Sequence, residues 1–559
     1  MKNNNNILNN KEEFSLNRSV YKAMGYSNDD LDRPIVGIAN AWNTLVPGHF
    51  NLQQVADYVK RGIYRGGGTA VEFGVIGACD GLAQGHEGMH YILPSREIIA
   101  NSVEIMAKAH NLSGLVLLGS CDKIVPGMLM AAARLDIPCI LLPGGPMMAG
   151  EVKFNGRKSD MTAIDEGLGA LKVGKITREE FENLEEGYCS SCGSCSYYGT
   201  ANTMCAMSEA LGMTLPGGAF TPAIHPDRLR LAQQTGEAIC KLIEKDITAR
   251  QIITKESMEN AIKICLTTSG STNAIMHLAA IAYEAELQMN VVEAFETFNK
   301  ITPIVARVYP SCDENINDLF LAGGIPRIQN SIQTLLNDHV MTVTGKTLKE
   351  NLLKYVYRYE KNSQCITTVY KPFSETGGLQ IMRGNLAPMT AVTKPGAIDP
   401  SVMKFTGPAQ CFDCEEDANS AILAGKVLAG TVVVIRYEGP KGGPGMREMY
   451  KSMKYLNGMG LATSTALVTD GRFSGTNNGC FVGHISPEAA SGGPIAIVRD
   501  GDIIEIDCML GKLNIKITDE EISRRLKEWA PKASKFSRGY LSIYAKLVSS
   551  AAEGAIIKY

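Results

Sequence analysis

Hydrophobic positions in the first third of the chain recur as short uninterrupted runs separated by amphipathic stretches. The apolar runs cover Pro34–Ala39, Ala70–Ala78, Leu115–Gly119 and Ile137–Leu142. Between them the spacing predicts helices over Leu52–Tyr64, from Ser95 (as N-cap) to about His110, and around Leu129–Arg134. Short apolar strands alternating with helices imply βαβ units and a parallel sheet covered on both faces. Two of the runs end in Cys79-Asp80-Gly81 and Ser120-Cys121-Asp122-Lys123. Open α/β sheets bind ligands at the carboxyl ends of their strands, so Asp80 and residues 121–123 are expected to form one site.

From about Glu209 to Tyr357 the pattern is mainly helical, as in Met258–Ile264 and Ala274–Glu284. The character changes over 363–378. Beyond it, residues 432–437, 462–470, 494–507 and 513–517 are short and rich in β-branched residues, Asp500-Gly501 is a hairpin signal, and Glu520–Trp529 reads as a closing helix. The predicted fold class is α/β. An N-terminal parallel-sheet domain with a helical extension spans 17–375, and a mainly β, barrel-like domain spans 376–559. The Asn-rich stretch 1–16 is expected to be a disordered lead-in.

Composition narrows the function classes. With 559 residues, 45% hydrophobic and 20% charged, the chain has the make-up of a globular protein of two or more domains. A net charge of −3 gives no basic footprint for nucleic acid, and no apolar run reaches the length of a transmembrane helix. Fifteen cysteines without an export signal point to a reducing compartment, the cytoplasm. Most of these thiols are expected to be packing groups, as at Cys139, Cys240 and Cys265.

Four loops carry candidate chemistry. In Cys121-Asp122-Lys123 a soft thiolate, suited to iron–sulfur or zinc, adjoins a hard carboxylate suited to Mg²⁺; the competing reading is an ordinary turn with an ion pair. Cys189, Cys192 and Cys195 have CxxCxxC spacing, a metal signal. With no fourth cysteine nearby to close a zinc site, a partner must come from elsewhere, and Cys121 is the candidate. Residues 436–448 place Glu448 after a glycine-rich loop whose N–H groups could hold a substrate carboxylate, with Gly445 as the candidate position. Residues 469–475 present Ser474 between glycines beside Arg472, a second candidate substrate-binding residue. No histidine adjoins Ser474 to support a hydrolase triad.

Six motifs, over 75–104, 120–147, 191–204, 404–409, 432–449 and 469–496, together resemble the dihydroxy-acid dehydratase and 6-phosphogluconate dehydratase family. The resemblance runs from about Asn17 to Asp507 and implies a hydro-lyase that turns a 2,3-dihydroxy acid into a 2-keto acid. It implies Mg²⁺ on Asp80, Asp122 and Glu448, with Lys123 carboxylated to a carbamate. It implies an iron–sulfur cluster, [2Fe–2S] or [4Fe–4S], on Cys121 and Cys195, and Ser474 as the base. Many members carry a third cluster cysteine where this chain has Pro47-Gly48-His49, which leaves Cys79 and Cys192 as alternatives. The motifs at 436–446 and 483–489 favour the branched-chain dihydroxy acids over a sugar acid, although 307–315 and 476–482 depart from sequences of the branched-chain type. The family also implies a homodimer. An iron–sulfur electron carrier and a zinc-stabilised scaffold are the rival classes; an electron carrier would leave Asp80, Asp122 and Glu448 without a task.

Overall fold

The structure, a computed structural model, describes residues 6–558 apart from 360, 361, 363, 476 and 477. Strands β1 (Ile35–Asn40), β2 (Thr69–Gly74), β3 (Gly114–Leu118) and β4 (Cys139–Leu142) form a parallel sheet in the order β2-β1-β3-β4. Every residue of β1, β3 and β4 is buried, which is why those strands read as continuous apolar runs rather than alternating ones. Successive strands are added on one side of β1 and then on the other, so the loops after β2 and β3 flank its carboxyl end, the position where such sheets open a crevice. A small ladder of β5 (Lys153–Phe154) and β6 (Arg157–Lys158) follows, and helices from Thr200–Ala210 to Leu348–Lys354 fill the expected helical extension.

The second half closes into an eight-stranded barrel. Its strands are β7 (Gln380–Gly384), β8 (Ala387–Thr393), β9 (Lys404–Phe412), β10 (Val432–Ile435), β11 (Ala466–Thr469), β12 (Cys480–Ser486), β13 (Ile503–Asp507) and β14 (Lys512–Ile515). They run round the barrel as β10-β11-β12-β8-β7-β14-β13-β9. Alternation along the strands builds two apolar layers. Val432, Val434, Ala466, Val468 and Val482 pack in one cluster. Val433, Ile435, Leu467 and Phe481 pack in another with Ile422, Met453 and Leu456, from the helices Glu415–Leu423 and Tyr450–Gly458.

Four expectations need correction. Residues 6–16 are not a loose lead-in: Leu8 is buried, and Asn6 Nδ2 donates to Leu31 O at 2.9 Å. One apolar side chain and one amide are enough to dock a polar stretch; residues 1–5 lie outside the described residues. Ser95 is not an N-cap, because the helix runs Met89–Ala109 with Pro94 inside it, and Ser95 Oγ donates back to Ile92 O at 2.7 Å. Asp500-Gly501 turns the chain from a 3₁₀ segment, Pro494–Ile497, into β13, whereas the hairpin joins β13 to β14 one turn later. Finally, β7, β8, β9 and β12 carry no apolar run strong enough to be predicted.

Candidate active site

Parallel strands in both halves point their carboxyl ends at one cluster of carboxylates. Asp80 opens the short helix Asp80–Ala83 after β2, and residues 120–123 follow β3. From the barrel, Glu448 follows β10 and Arg472 follows β11, and the two are joined by a parallel bridge. Asp80, Asp122 and Glu448 bring carboxylate oxygens within 4.8 Å of one another. Two buried cations hold them there. Lys123 Nζ lies 2.8 Å from Asp80 Oδ2 and 3.3 Å from Asp122 Oδ2. Arg472 donates to Asp80 Oδ2 at 3.0 Å and pairs with Glu448.

The electrostatics are those of a site short of positive charge. Burial, then the negative charge of Asp80, pushes the Asp122 carboxyl up to about 7. Burial acts the same way on Asp80, but Lys123 and Arg472 outweigh it and hold that carboxyl below its ordinary value. Asp80 Oδ1 is buried with no hydrogen-bond partner among the described residues. Three converging hard oxygens, one of them orphaned, fit a divalent cation of the Mg²⁺ type.

A set of thiols adjoins this carboxylate set. Cys121 takes a left-handed backbone, φ 69°, which few non-glycine residues adopt, and its thiol is hydrogen-bonded to that of Cys79. That bond lowers the Cys79 pKa and raises that of Cys121, whereas burial raises Cys195. Cys121 feels the charges of Cys79 and Cys195, and Cys195 feels Asp122, Cys79 and Cys189, whereas the charge acting on Cys79 is that of Asp80. Only burial raises the Cys192 thiol, and no other thiol acts on it. Cys189 is exposed at the rim. A Cβ on Gly48 would stand 2.8 Å from Cys121 Sγ, so the loop Pro47-Gly48-His49 reaches the thiols. Three soft ligands converging beside the carboxylates fit an iron–sulfur cluster.

Ser474 is buried in the turn after β11. Thr272 Oγ1 donates to the carbonyl of neighbouring Phe473, tying this turn to the N-terminal half. Gly445 does not serve as expected. Its N–H donates to Pro440 O at 3.0 Å and that of Gly443 to Gly439 O at 2.9 Å. The loop closes on itself, and the anion its remaining N–H groups receive is the carboxylate of Glu488, at Lys441 N and Gly442 N. Arg472 is likewise engaged by Asp80, Glu448 and the Met446 carbonyl, which makes it an organiser of carboxylates. Of the motif stretch 476–482, positions 476 and 477 lie outside the described residues.

Asn273 and His484 were not foreseen. Asn273 Nδ2 reaches Glu448 Oε2 at 3.4 Å and Thr200 Oγ1 at 2.9 Å, while His484 Nε2 pairs with Asn273 Oδ1 at 3.1 Å. Burial, then the charges of Arg472 and Lys123, depresses His484 to about 3, so the ring is neutral. His484 lies within a motif that carried the resemblance. Asn273, at a helix start, gave no signal.

Two family models match the chain: dihydroxy-acid/6-phosphogluconate dehydratase N-terminal over residues 33–351 and its C-terminal counterpart over 364–555. Similar proteins named dihydroxy-acid dehydratase include one from Acetivibrio thermocellus, 48% identical over 548 residues and covering 98% of both chains. One from Methanococcus aeolicus is 48% identical over 544 residues, 97% of this chain and 98% of its own. A third, from Pyrococcus furiosus, is 47% identical over 549 residues, 98% of each.

Proposed function

The chain belongs to the dihydroxy-acid/6-phosphogluconate dehydratase family, and from that premise we propose that it removes water from 2,3-dihydroxyisovalerate and 2,3-dihydroxy-3-methylvalerate to leave the 2-keto acids of branched-chain amino-acid synthesis. The relatives' shared name, carried over nearly the whole chain, supports the substrate class. The observation that carries the chemistry is the convergence of Asp80, Asp122 and Glu448 from both halves, beside the thiols of Cys79, Cys121 and Cys195.

In this reading Asp80, Asp122 and Glu448, with Lys123 as a carbamate, hold Mg²⁺, and Cys121 and Cys195, with Cys79 as the third ligand, hold the cluster. Bound there, the two groups supply Lewis acidity toward the substrate's carboxylate and hydroxyl oxygens. Ser474 takes the proton from C2. The C3 hydroxyl leaves, so the proton and hydroxide sum to one water, and the enol tautomerises to the keto acid. Arg472, pinned between Asp80 and Glu448, keeps two carboxylates aimed at one point. The carboxylate chemistry needs both ligand sets, which an electron carrier does not.

The setting we propose is a soluble cytoplasmic homodimer. All fifteen cysteines are free thiols, and no described helix is long and apolar enough to cross a membrane. An exposed stripe of Leu16 and Val20 on the helix Ser15–Ala23, continued by Met24 at its C-cap, gives a second copy a surface to cover.

Anaerobically purified protein should be brown, contain iron and acid-labile sulfide, and release keto acid from the branched dihydroxy acids. Turnover of a sugar acid alone would move the substrate, and stoichiometric zinc without sulfide would end the proposal. Ser474→Ala should lower kcat by roughly 10²–10⁴-fold, the usual worth of a positioned base, with little change in KM, and abolish exchange of the C2 proton into deuterated solvent.

A further inference from the structure

His484 lies on β12 with a backbone that few residues other than glycine adopt, φ 57°. It sits where the ladder slips. Gly483 pairs with Val392 and Ser486 with Thr390, so β12 takes three steps against two of β8. The extra residue makes a bulge, which re-aims a side chain out of the strand's alternation. Both backbone groups of His484 are fastened there. Its N–H donates to Gly471 O at 2.8 Å, in the turn that carries Ser474, and its carbonyl accepts from Ser486 Oγ at 3.3 Å. A strained backbone persists only where its surroundings over-determine it, and here it directs a side chain that is 3% exposed.

The ring meets Asn273, its Nε2 standing 3.1 Å from Asn273 Oδ1. An amide has two ends of opposite hydrogen-bonding character. Asn273 Nδ2 donates to Glu448 Oε2 at 3.4 Å and to Thr200 Oγ1 at 2.9 Å. Thr200 does not decide which end points where, because its hydroxyl can donate or accept, as it does toward Ser271 Oγ at 2.8 Å. Glu448 decides from one side, since an ionised carboxylate only accepts. Turned over, the amide would set its oxygen against that carboxylate. His484 decides from the other side. With its proton on Nε2 the ring donates to Oδ1, and a turned amide would meet it donor to donor. Arg472 pairs with the same Oε2 of Glu448 from within the barrel half, so the carboxylate is pinned on one edge from both halves.

We propose that His484 is a positioning residue for the metal site: it fixes the Asn273 amide with its nitrogen toward Glu448, and through that amide holds the carboxylate in the orientation that receives Mg²⁺. The inference rests on the reading of Asp80, Asp122 and Glu448 as Mg²⁺ ligands. His484 needs no contact with the ion. It acts as the groups behind metal ligands act, by removing the ligand's freedom to turn away. The bulge and the left-handed backbone are what bring a barrel residue to a side chain on the helix Asn273–Glu284 of the first half.

The test titrates Mg²⁺ by calorimetry into cluster-loaded protein freed of the ion by chelation, with cluster absorbance and Tm followed alongside. His484→Phe keeps a ring and loses the donor. It should weaken Mg²⁺ binding about 10-fold, the lower end for groups behind a metal ligand, with cluster absorbance unchanged. His484→Gln returns an N–H at similar reach and should restore the affinity. Asn273→Ala combined with His484→Phe should bind Mg²⁺ no more weakly than Asn273→Ala alone, because His484 acts through Asn273. If the phenylalanine variant does not fold, His484→Asn takes its place; asparagine tolerates the left-handed backbone and is too short to reach Asn273. The inference is overturned by wild-type affinity in the variant that lacks the donor, by a glutamine variant as weak as the phenylalanine one, or by losses that add in the combined variant. Glu448→Gln, run alongside, separates the two failures. Affinity kept in that variant removes the Mg²⁺ reading and the inference with it, whereas affinity lost there and kept in His484→Phe removes only the role of His484.

Discussion

At the scale of single residues the site is a sorting of hard and soft ligands, and the thiols make the sharpest test. Cys79 is hydrogen-bonded to Cys121 and acts on Cys195, while Cys192 interacts with neither. Cys79→Ser should therefore lose iron, sulfide and the visible absorbance, and Cys192→Ser should keep all three; the reverse pattern would exchange their assignments. Spacing alone could not separate the two, because CxxCxxC places Cys192 nearest in sequence to Cys195, whereas the fold brings Cys79 in from a different strand. Asn273, which holds Glu448 from behind with His484 on its other side, gives a second test. Asn273→Ala should weaken Mg²⁺ binding by about 10–100-fold, the usual effect of removing a group that orients a metal ligand. Activity should return in excess Mg²⁺, and a titration unchanged from wild type would leave Asn273 a helix-start residue only. Nothing in the sequence announced Asn273, because its partner lies 175 positions away.

At the scale of elements, what could be read from the chain depended on unbroken apolar runs, which β12, though buried, lacks because Gly483, His484 and Ser486 interrupt it. Strands β1, β3 and β4 are covered on both faces and stood out as apolar runs. Strands β7 and β9 mix buried and exposed positions, and their exposed residues hid them. Pro94 misled for a related reason: a proline usually marks a boundary, but here its missing N–H frees the carbonyl of His90, four residues back, and Gly445 packs against that carbonyl. The glycine loop is thus a docking turn between barrel and helix, and not a carboxylate cradle. Gly445→Ala puts a Cβ into the His90 carbonyl at a backbone φ of 90°. Strain of that kind costs about 1–3 kcal/mol, so Tm should fall. Mg²⁺ occupancy should fall with it, since Glu448 sits three residues on. An unchanged Tm would mean the turn can shift without consequence.

At the scale of the whole molecule, the two ligand sets divide unequally between the halves. Cys79, Cys121 and Cys195 all come from the first, whereas the carboxylates are shared with the second through Glu448. Chelation under anaerobic conditions should therefore abolish activity reversibly and leave the cluster's absorbance in place, with Mg²⁺ restoring turnover. Bleaching in step with Mg²⁺ loss would show the two sites to be one structural unit. Two halves were legible from the alternation of run types along the chain, whereas the sharing of Glu448 with Asp80 and Asp122 was implied only by the family resemblance. The closure of the second half into a complete barrel was not legible, because it depends on pairings such as β14 with β7 that join segments far apart.

The helix Tyr540–Leu547 and the residues after it bridge the barrel, where Ser550 Oγ bonds to Ser486 Oγ at 3.2 Å, and the first half. There Tyr544, Val548 and Ala555 pack with Leu93 and Met276, and the guanidinium of buried Arg96 donates to the carbonyls of Gly554 and Ala555 at 3.0 and 2.8 Å. Those acceptors are separated from Arg96 by 458 and 459 positions. During synthesis the parallel sheet and its cysteines leave the ribosome long before the residues that satisfy Arg96 exist. Until then Arg96 has its sequence neighbour Glu97 as an ion-pair partner at 2.8 Å, so the late segment supplies the last acceptors of a side chain that is already partly satisfied.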